Sequence, residues 1–185
     1  VLYEELGRGP LPGPFFASGV LGALILMEGA TAAQRERLLP AVARGETVLS
    51  VATTEPNASW GPQGVTMTPQ RDNGGYRLDG AKLFVSVVHV DAHARGVSAR
   101  RLPGFLSWQC ELTFDRVEVP AANVIGGGEG QGWAVLTRAL ERAWPILCAY
   151  MVGGCQAVFD MSVVHSRERV QFGVPIGKFQ SVQDH

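Results

Sequence analysis

The chain has 185 residues, 46% of them apolar, enough for a buried core of ordinary size, and its 23 glycines and 11 prolines follow no collagen-like or low-complexity pattern. Sixteen basic against seventeen acidic side chains leave a net charge of −1, so no long-range field attracts nucleic acid or an anionic membrane. Three cysteines, Cys110, Cys148 and Cys155, form no CxxC pair, which argues against a disulfide framework or zinc site and suits a reducing compartment, the cytoplasm.

Only two of the basic residues are lysines, Lys82 and Lys178, and the charged share of 18% is low enough to suggest surface covered by a partner or by further chain. Residues 1–47 are predicted to be helical. Within them 15–27 is apolar nearly all round, as a buried helix is, and the wider stretch 14–27 is too short to span a bilayer. The chain also shows no signal-peptide pattern. Thr31 with Gln34 forms a capping-box pattern, Leu38, Leu39 and Val42 an apolar stripe, and Gly45 a stop.

From Val48 the period changes. Val65 and Met67, then Tyr76 and Leu78, alternate with polar residues around Asp72-Asn73-Gly74-Gly75, a hairpin signal. A turn at Asp79-Gly80 leads into 82–90, rich in β-branched and aromatic residues, and Leu112, Phe114, Val117 and Val119 alternate before Pro120. Residues 48–125 therefore read as a small, mainly antiparallel β unit. After the glycine cluster 126–132, Trp133, Leu136, Leu140, Leu147, Met151 and Val158 are spaced for one buried face of a long helix. Pro145 could kink that helix, and Phe172-Gly173-Val174-Pro175 stops it near Gln171. The expected class is α+β: a helical segment, a small, mainly antiparallel β unit and a long C-terminal helix. The domains would be 1–47, 48–125 and 126–185.

Several clusters carry chemistry only weakly. The run GGGEGQG before a helix could hold a phosphate, but it matches neither GxGxxG nor GxxxxGK[ST], and a flexible turn is the favoured reading. His89, Asp91 and His93 share a strand face without a further ligand nearby, so a metal is not expected. Thr53-Thr54-Glu55-Pro56 followed by Asn57-Ala58-Ser59 is a turn with convergent hydroxyls. Phe84 and Ser86 would share a strand face and could present a ring and a hydroxyl to one ligand. Arg167-Glu168-Arg169-Val170-Gln171-Phe172-Gly173 pairs a guanidinium fork with an aromatic ring at a helix end, which suits a phosphate-bearing ligand.

Taken together and in order, Glu4-Glu5-Leu6-Gly7-Arg8, Thr54-Glu55-Pro56, Leu78-Asp79-Gly80-Ala81-Lys82 and Val117-Glu118-Val119-Pro120 begin a recognisable series. Gly153 with Gln156 and Asp160, Arg169, Gln171-Phe172-Gly173, Pro175-Ile176-Gly177 and Phe179-Gln180 complete it, and the chain resembles the acyl-CoA dehydrogenase family. The resemblance implies the end of an N-terminal helical domain over 1–47, a small antiparallel β-barrel-like middle domain over 48–125, a long C-terminal helix of an incomplete helical bundle over 126–185, and FAD as cofactor. Thr54 would meet the flavin ring edge, Phe84 would pack on the isoalloxazine and Ser86 would bond near N5. Arg169 would pair with the pyrophosphate of the FAD held by a neighbouring subunit, with Phe172 beside it and Gln180 at the adenosine end. The implied reaction is α,β-dehydrogenation of an acyl-CoA thioester, with an electron-transfer protein as acceptor and a homodimer or homotetramer, or a mixed oligomer, as the assembly. No nucleic acid and no membrane span are expected.

The sequence departs from that pattern in four places. The chain begins inside the N-terminal helical domain and stops after Gln180, so the catalytic base of most members would lie outside it and no catalytic residue is assigned. The alternative position for the base falls on Ala143, and Glu141, about 200° away on a helix, is no substitute. Trp144 stands where an arginine is usual, and Asn57-Ala58-Ser59-Trp60 replaces the GAGS that usually follows the TEP motif. Between Ser86 and Val97 about two strands' worth of residues is expected to be missing. The alternative reading is a non-catalytic structural subunit, which would complete a partner's FAD site through Arg169 and Gln180.

Overall fold

The computed structural model describes residues 1–11, 13–51, 53–59, 61–82, 94–102, 109–126 and 130–184. The chain divides into two compact units, Gly13–Ala143 and Val1–Pro12 with Trp144–His185.

In the first unit a π-helical turn, Phe15–Gly22, runs into α2 (Ala23–Gly29), after α1 (Leu2–Arg8) of the other unit. Only one side of this segment is buried, through Ser18, Val20, Gly22, Ile25 and Leu26. Phe15 and Met27 remain about half exposed, which corrects the expectation of burial all round. α3 (Ala32–Ala43) starts at the expected capping box: the Gln34 backbone N–H donates to Thr31 Oγ1 at 3.2 Å, and the Thr31 N–H donates to Gln34 Oε1 at 2.8 Å. Gly45, at φ +72°, ends the turn beyond it. The buried Gln34 amide also donates to the carbonyls of Ala122 and Val124, at 2.7 and 3.0 Å, so one side chain caps a helix and holds the connection that leaves the sheet. Ile25, Leu26, Leu38 and Ile125 pack with Val135, Leu136 and Ala139 of α4 (Gly132–Glu168) into one core.

The β part is a four-stranded antiparallel sheet in the order β1-β2-β4-β3, from β1 (Gln70–Asp72), β2 (Gly75–Lys82), β3 (Val97–Leu102) and β4 (Gln109–Pro120). The hairpin turns at Asn73-Gly74, both at positive φ, as predicted. Its first strand begins only at Gln70, so Val65 and Met67 are not strand residues, although Met67 packs on the sheet core. That core is Leu78, Phe114, Val117 and Val119. The register shifts between Leu78 and Gly80, where Gly80 sits at φ +136°, and beyond the irregularity Lys82 pairs with Leu112.

In the second unit α1 lies against the later part of α4 so closely that side chains are excluded. A methyl on Gly153 would overlap the Glu4 carbonyl, and one on Gly7 the Tyr150 carbonyl. Around that crossing Arg8 pairs with Asp160 at 3.0 Å and Gln156 donates to Asp160 at 2.8 Å. The amide of Gln156 and the guanidinium of Arg8 hold the Asp160 carboxyl below its ordinary range. α4 runs through Pro145 without a break and ends at Glu168, earlier than predicted; β5 (Val170–Gln171) and β6 (Val174–Pro175) then form a tiny hairpin before α5 (Gln180–Gln183). By length and composition alone α4 is also long and apolar enough to cross a membrane, although no uninterrupted apolar run in it reaches that length. Its first part is core, with Val135, Leu136, Ala139 and Ala143 buried, whereas Met151 and Val158, expected on the buried face, are exposed with Val152 and Phe159.

Candidate functional site

Thr54 lies in the segment between the first helices and the sheet, and it is 5% exposed. Its hydroxyl makes no hydrogen bond among the described residues, an unusual state for a buried polar atom and one that a ligand would relieve. The segment around it is tied at several points. Upstream, the Leu49 N–H donates to the buried Ser18 hydroxyl at 2.9 Å. Downstream, the Ala58 N–H donates to the Glu55 carbonyl at 2.8 Å, and Asn57 bridges the turn. Its amide donates to Gly64 O at 2.9 Å and its Oδ1 accepts from Ser59 N at 3.0 Å. Ala58 is held at φ +54°, a left-handed conformation that costs a residue with a Cβ.

The strongest tie is one that residue patterns did not single out. Glu55, beside Thr54, is 4% exposed, and its Oε1 accepts from the ammonium of Lys82, itself 1% exposed, at the end of β2. Oε1 also accepts from the Met67 N–H at 2.9 Å. Oε2 accepts from the Thr66 N–H at 2.9 Å and from the Thr66 hydroxyl. Burial pushes the Glu55 carboxyl up, but the Lys82 ammonium, the Thr66 hydroxyl and the two backbone N–H groups outweigh it and hold the group at about 2. The only sequence signal was that Glu55 and Lys82 both fall inside the quoted motifs; nothing in their spacing of 27 residues showed that they meet.

Phe84 and Ser86 lie outside the described residues, as do Trp60 and the His89, Asp91, His93 cluster; of the glycine run, 127–129 lie outside as well. In the other unit the structure brings Arg169, Phe172 and Gln180 into one small feature. Arg169 joins α4 to β5, and its carbonyl accepts from the Ile176 N–H at 2.8 Å, which closes the hairpin on itself. Phe172 sits at the hairpin tip at φ +53°, 92% exposed, with its ring edge-on to Phe179, 6.1 Å between centroids. Gln180 is the first residue of α5. The Arg169 guanidinium is exposed and makes no salt bridge among the described residues, so its fork is free for an anion.

Ala143 is fully buried and Glu141 is exposed, so neither offers a carboxylate where the alternative base position falls. Trp144 is 53% exposed. A cavity of about 520 Å³ between α3 and the 121–124 turn is lined by Thr31, Gln34, Arg37 and Tyr76 among others, and by no expected site residue among those described.

The family model described as "Acyl-CoA dehydrogenase, C-terminal domain" matches residues 130–185. Isovaleryl-CoA dehydrogenase, mitochondrial, of Arabidopsis thaliana is 32% identical over 213 aligned residues, 99% of this chain and 52% of that protein. The structure of butyryl-CoA dehydrogenase from Megasphaera elsdenii superposes with a TM-score of 0.87 at 26% identity, covering 98% of this chain and 55% of that one. An acyl-CoA dehydrogenase complexed with FAD from Bacillus anthracis shares the fold, with a TM-score of 0.87 at 23% identity over 99% of this chain and 36% of the other. This chain thus spans about half the length of the curated relatives it matches.

Proposed function

Because the chain belongs to the acyl-CoA dehydrogenase family, we propose that the protein it represents in part is an FAD-dependent dehydrogenase of acyl-CoA thioesters. The observation that carries the proposal is the Thr54 hydroxyl, buried and without a hydrogen-bond partner among the described residues, on a segment braced on both sides. A flavin edge supplies the acceptor that this hydroxyl lacks.

Two groups of residues would hold the cofactor. Thr54, with Phe84 and Ser86 as expected from the resemblance, would meet the ring system. Arg169, Phe172 and Gln180 would take the pyrophosphate and adenosine of an FAD held by a neighbouring copy. The free fork of Arg169 fits a pyrophosphate, with two N–H groups directed to two oxygens. FAD, when bound, supplies the hydride acceptor at N5, while a carboxylate takes the α-proton and the thioester gains its α,β double bond. The residues here bind and orient; the base lies outside this stretch. The expectation that residues are missing between Ser86 and Val97 belongs to the same proposal. Division at 47 and 125 into three domains, an electron-transfer protein as acceptor and an oligomer of one subunit type belong to the same proposal. So does a reducing location, the cytoplasm or, as for the Arabidopsis relative, the mitochondrion.

One observation favours the second reading, a subunit that completes a partner's site without catalysing. Ala143 is an alanine sealed in the core at the alternative base position. The absorption spectrum of the purified intact protein decides between the two. A yellow protein whose flavin band bleaches with one acyl-CoA ester supports the dehydrogenase. A protein that binds FAD only when mixed with a second subunit supports the structural role, and one that takes up no flavin in either state overturns both.

A further inference from the structure

We infer that Glu55 and Lys82 are positioning residues for the flavin-facing segment: the buried pair clamps three separate stretches of chain so that the Thr54 hydroxyl is presented in one place. The inference rests on the functional reading above, and it concerns residues that touch no substrate.

A lysine is almost never buried to this degree without a partner, and Lys82 is the largest fully buried side chain among the described residues. Its partner is saturated. The two oxygens of Glu55 accept four hydrogen bonds, from Lys82, Met67, and the backbone and hydroxyl of Thr66, which is all that a carboxylate can accept. Stability alone does not account for the arrangement, since well-packed apolar groups of similar volume commonly do as well or better than a buried ion pair. What apolar packing lacks is direction. A carboxylate with four fixed donors has one orientation, and so does the backbone that carries it. Thr54 precedes that backbone directly, and the Leu49–Ser18 bond limits slippage from the other side. Lys82 brings in β2, the strand that leads toward the expected ring and hydroxyl positions. The clamp therefore ties the segment bearing Thr54 to the sheet, and the unpartnered hydroxyl keeps its place before any ligand arrives, which is pre-organisation in the useful sense.

The test uses the intact protein, stripped of flavin and titrated with FAD, with the dissociation constant read from flavin fluorescence, the band shape from visible absorption, and the apoprotein melting midpoint recorded for each variant. Thr66→Val removes a single donor to Glu55 from an exposed position and leaves the pair in place. It is expected to weaken FAD binding about fivefold and to alter the band shape, with the apoprotein midpoint within a few degrees of the unmutated protein. The double variant Glu55→Gln with Lys82→Met removes both charges together; the inference expects a larger loss of FAD affinity than its change in midpoint explains. Gly153→Ala, in the other unit, calibrates that comparison, because it destabilises the fold without touching the clamp. If the Thr66→Val and double variants bind FAD with the unmutated constant and spectrum, or lose affinity only as the Gly153→Ala control does, the inference is overturned and the functional reading stands. No flavin uptake by the unmutated protein overturns both.

Discussion

Moving an ammonium group and a carboxylate out of water costs several kcal/mol per ion, and Lys82 and Glu55 recover that cost only while both are present. Lys82→Met is therefore expected to destabilise the intact protein by roughly 3–5 kcal/mol, read as a fall in denaturant midpoint with an unchanged slope. The same pair makes stability depend on pH with a definite sign. The Glu55 carboxyl is held at about 2 in the folded state against an ordinary 4.5, so the folded form binds its proton less readily. The stability it contributes is complete above about pH 4.5 and is lost as pH falls toward 2. Glu55→Gln should flatten the unfolding curve across that window, and an unaltered slope would show that other groups govern acid unfolding. At this scale the sequence revealed which residue types were present but not their partners. Thr54 was legible as a turn hydroxyl within a motif, whereas its burial without a partner and the approach of Lys82 depend on contacts between distant parts of the chain.

Elements were read best where the chemistry is local. The Thr31–Gln34 capping box, the Gly45 stop and the Asn73-Gly74 turn all form as their residue types dictate, because each needs only neighbours within four positions. The strand expected at Val65 and Met67 failed for the opposite reason. The N–H of Met67 and the N–H of Thr66 donate to the Glu55 carboxylate, so these residues are committed to the clamp and have the alternation of a strand without its ladder. Gln34 carries an element-scale prediction. Gln34→Ala removes the N3 half of the cap and strands two carbonyls, of Ala122 and Val124, at a cost of about 2–4 kcal/mol, measurable as a lower melting midpoint. Gly153→Ala forces α1 away from α4. It is expected to cost roughly 1–3 kcal/mol and to raise hydrogen exchange in α1, and unchanged protection there would disprove the close crossing.

On the scale of the whole molecule, the later part of α4 leaves Trp144, Met151, Val152, Val158 and Phe159 more than half exposed along one face. A soluble surface rarely carries such a stripe uncovered. A polypeptide limited to these 185 residues is expected to bind the dye ANS and to associate on gel filtration, whereas the intact protein should do neither through this face. Arg169 belongs to this scale as well, since its proposed ligand lies in another copy. Arg169→Gln should leave the melting midpoint of the intact apoprotein unchanged, the side chain being exposed and without a salt bridge among the described residues, while weakening FAD binding about tenfold. The class of fold, the order helix–sheet–helix and the family motifs were determined by the sequence itself, because periodicity, turn chemistry and motif order are properties of neighbours along a chain. Which side of a helix is buried, that a lysine and a glutamate 27 residues apart share one saturated site, and that two glycines let helices touch were decided only by tertiary structure. Burial and approach are relations between segments that the linear order leaves free.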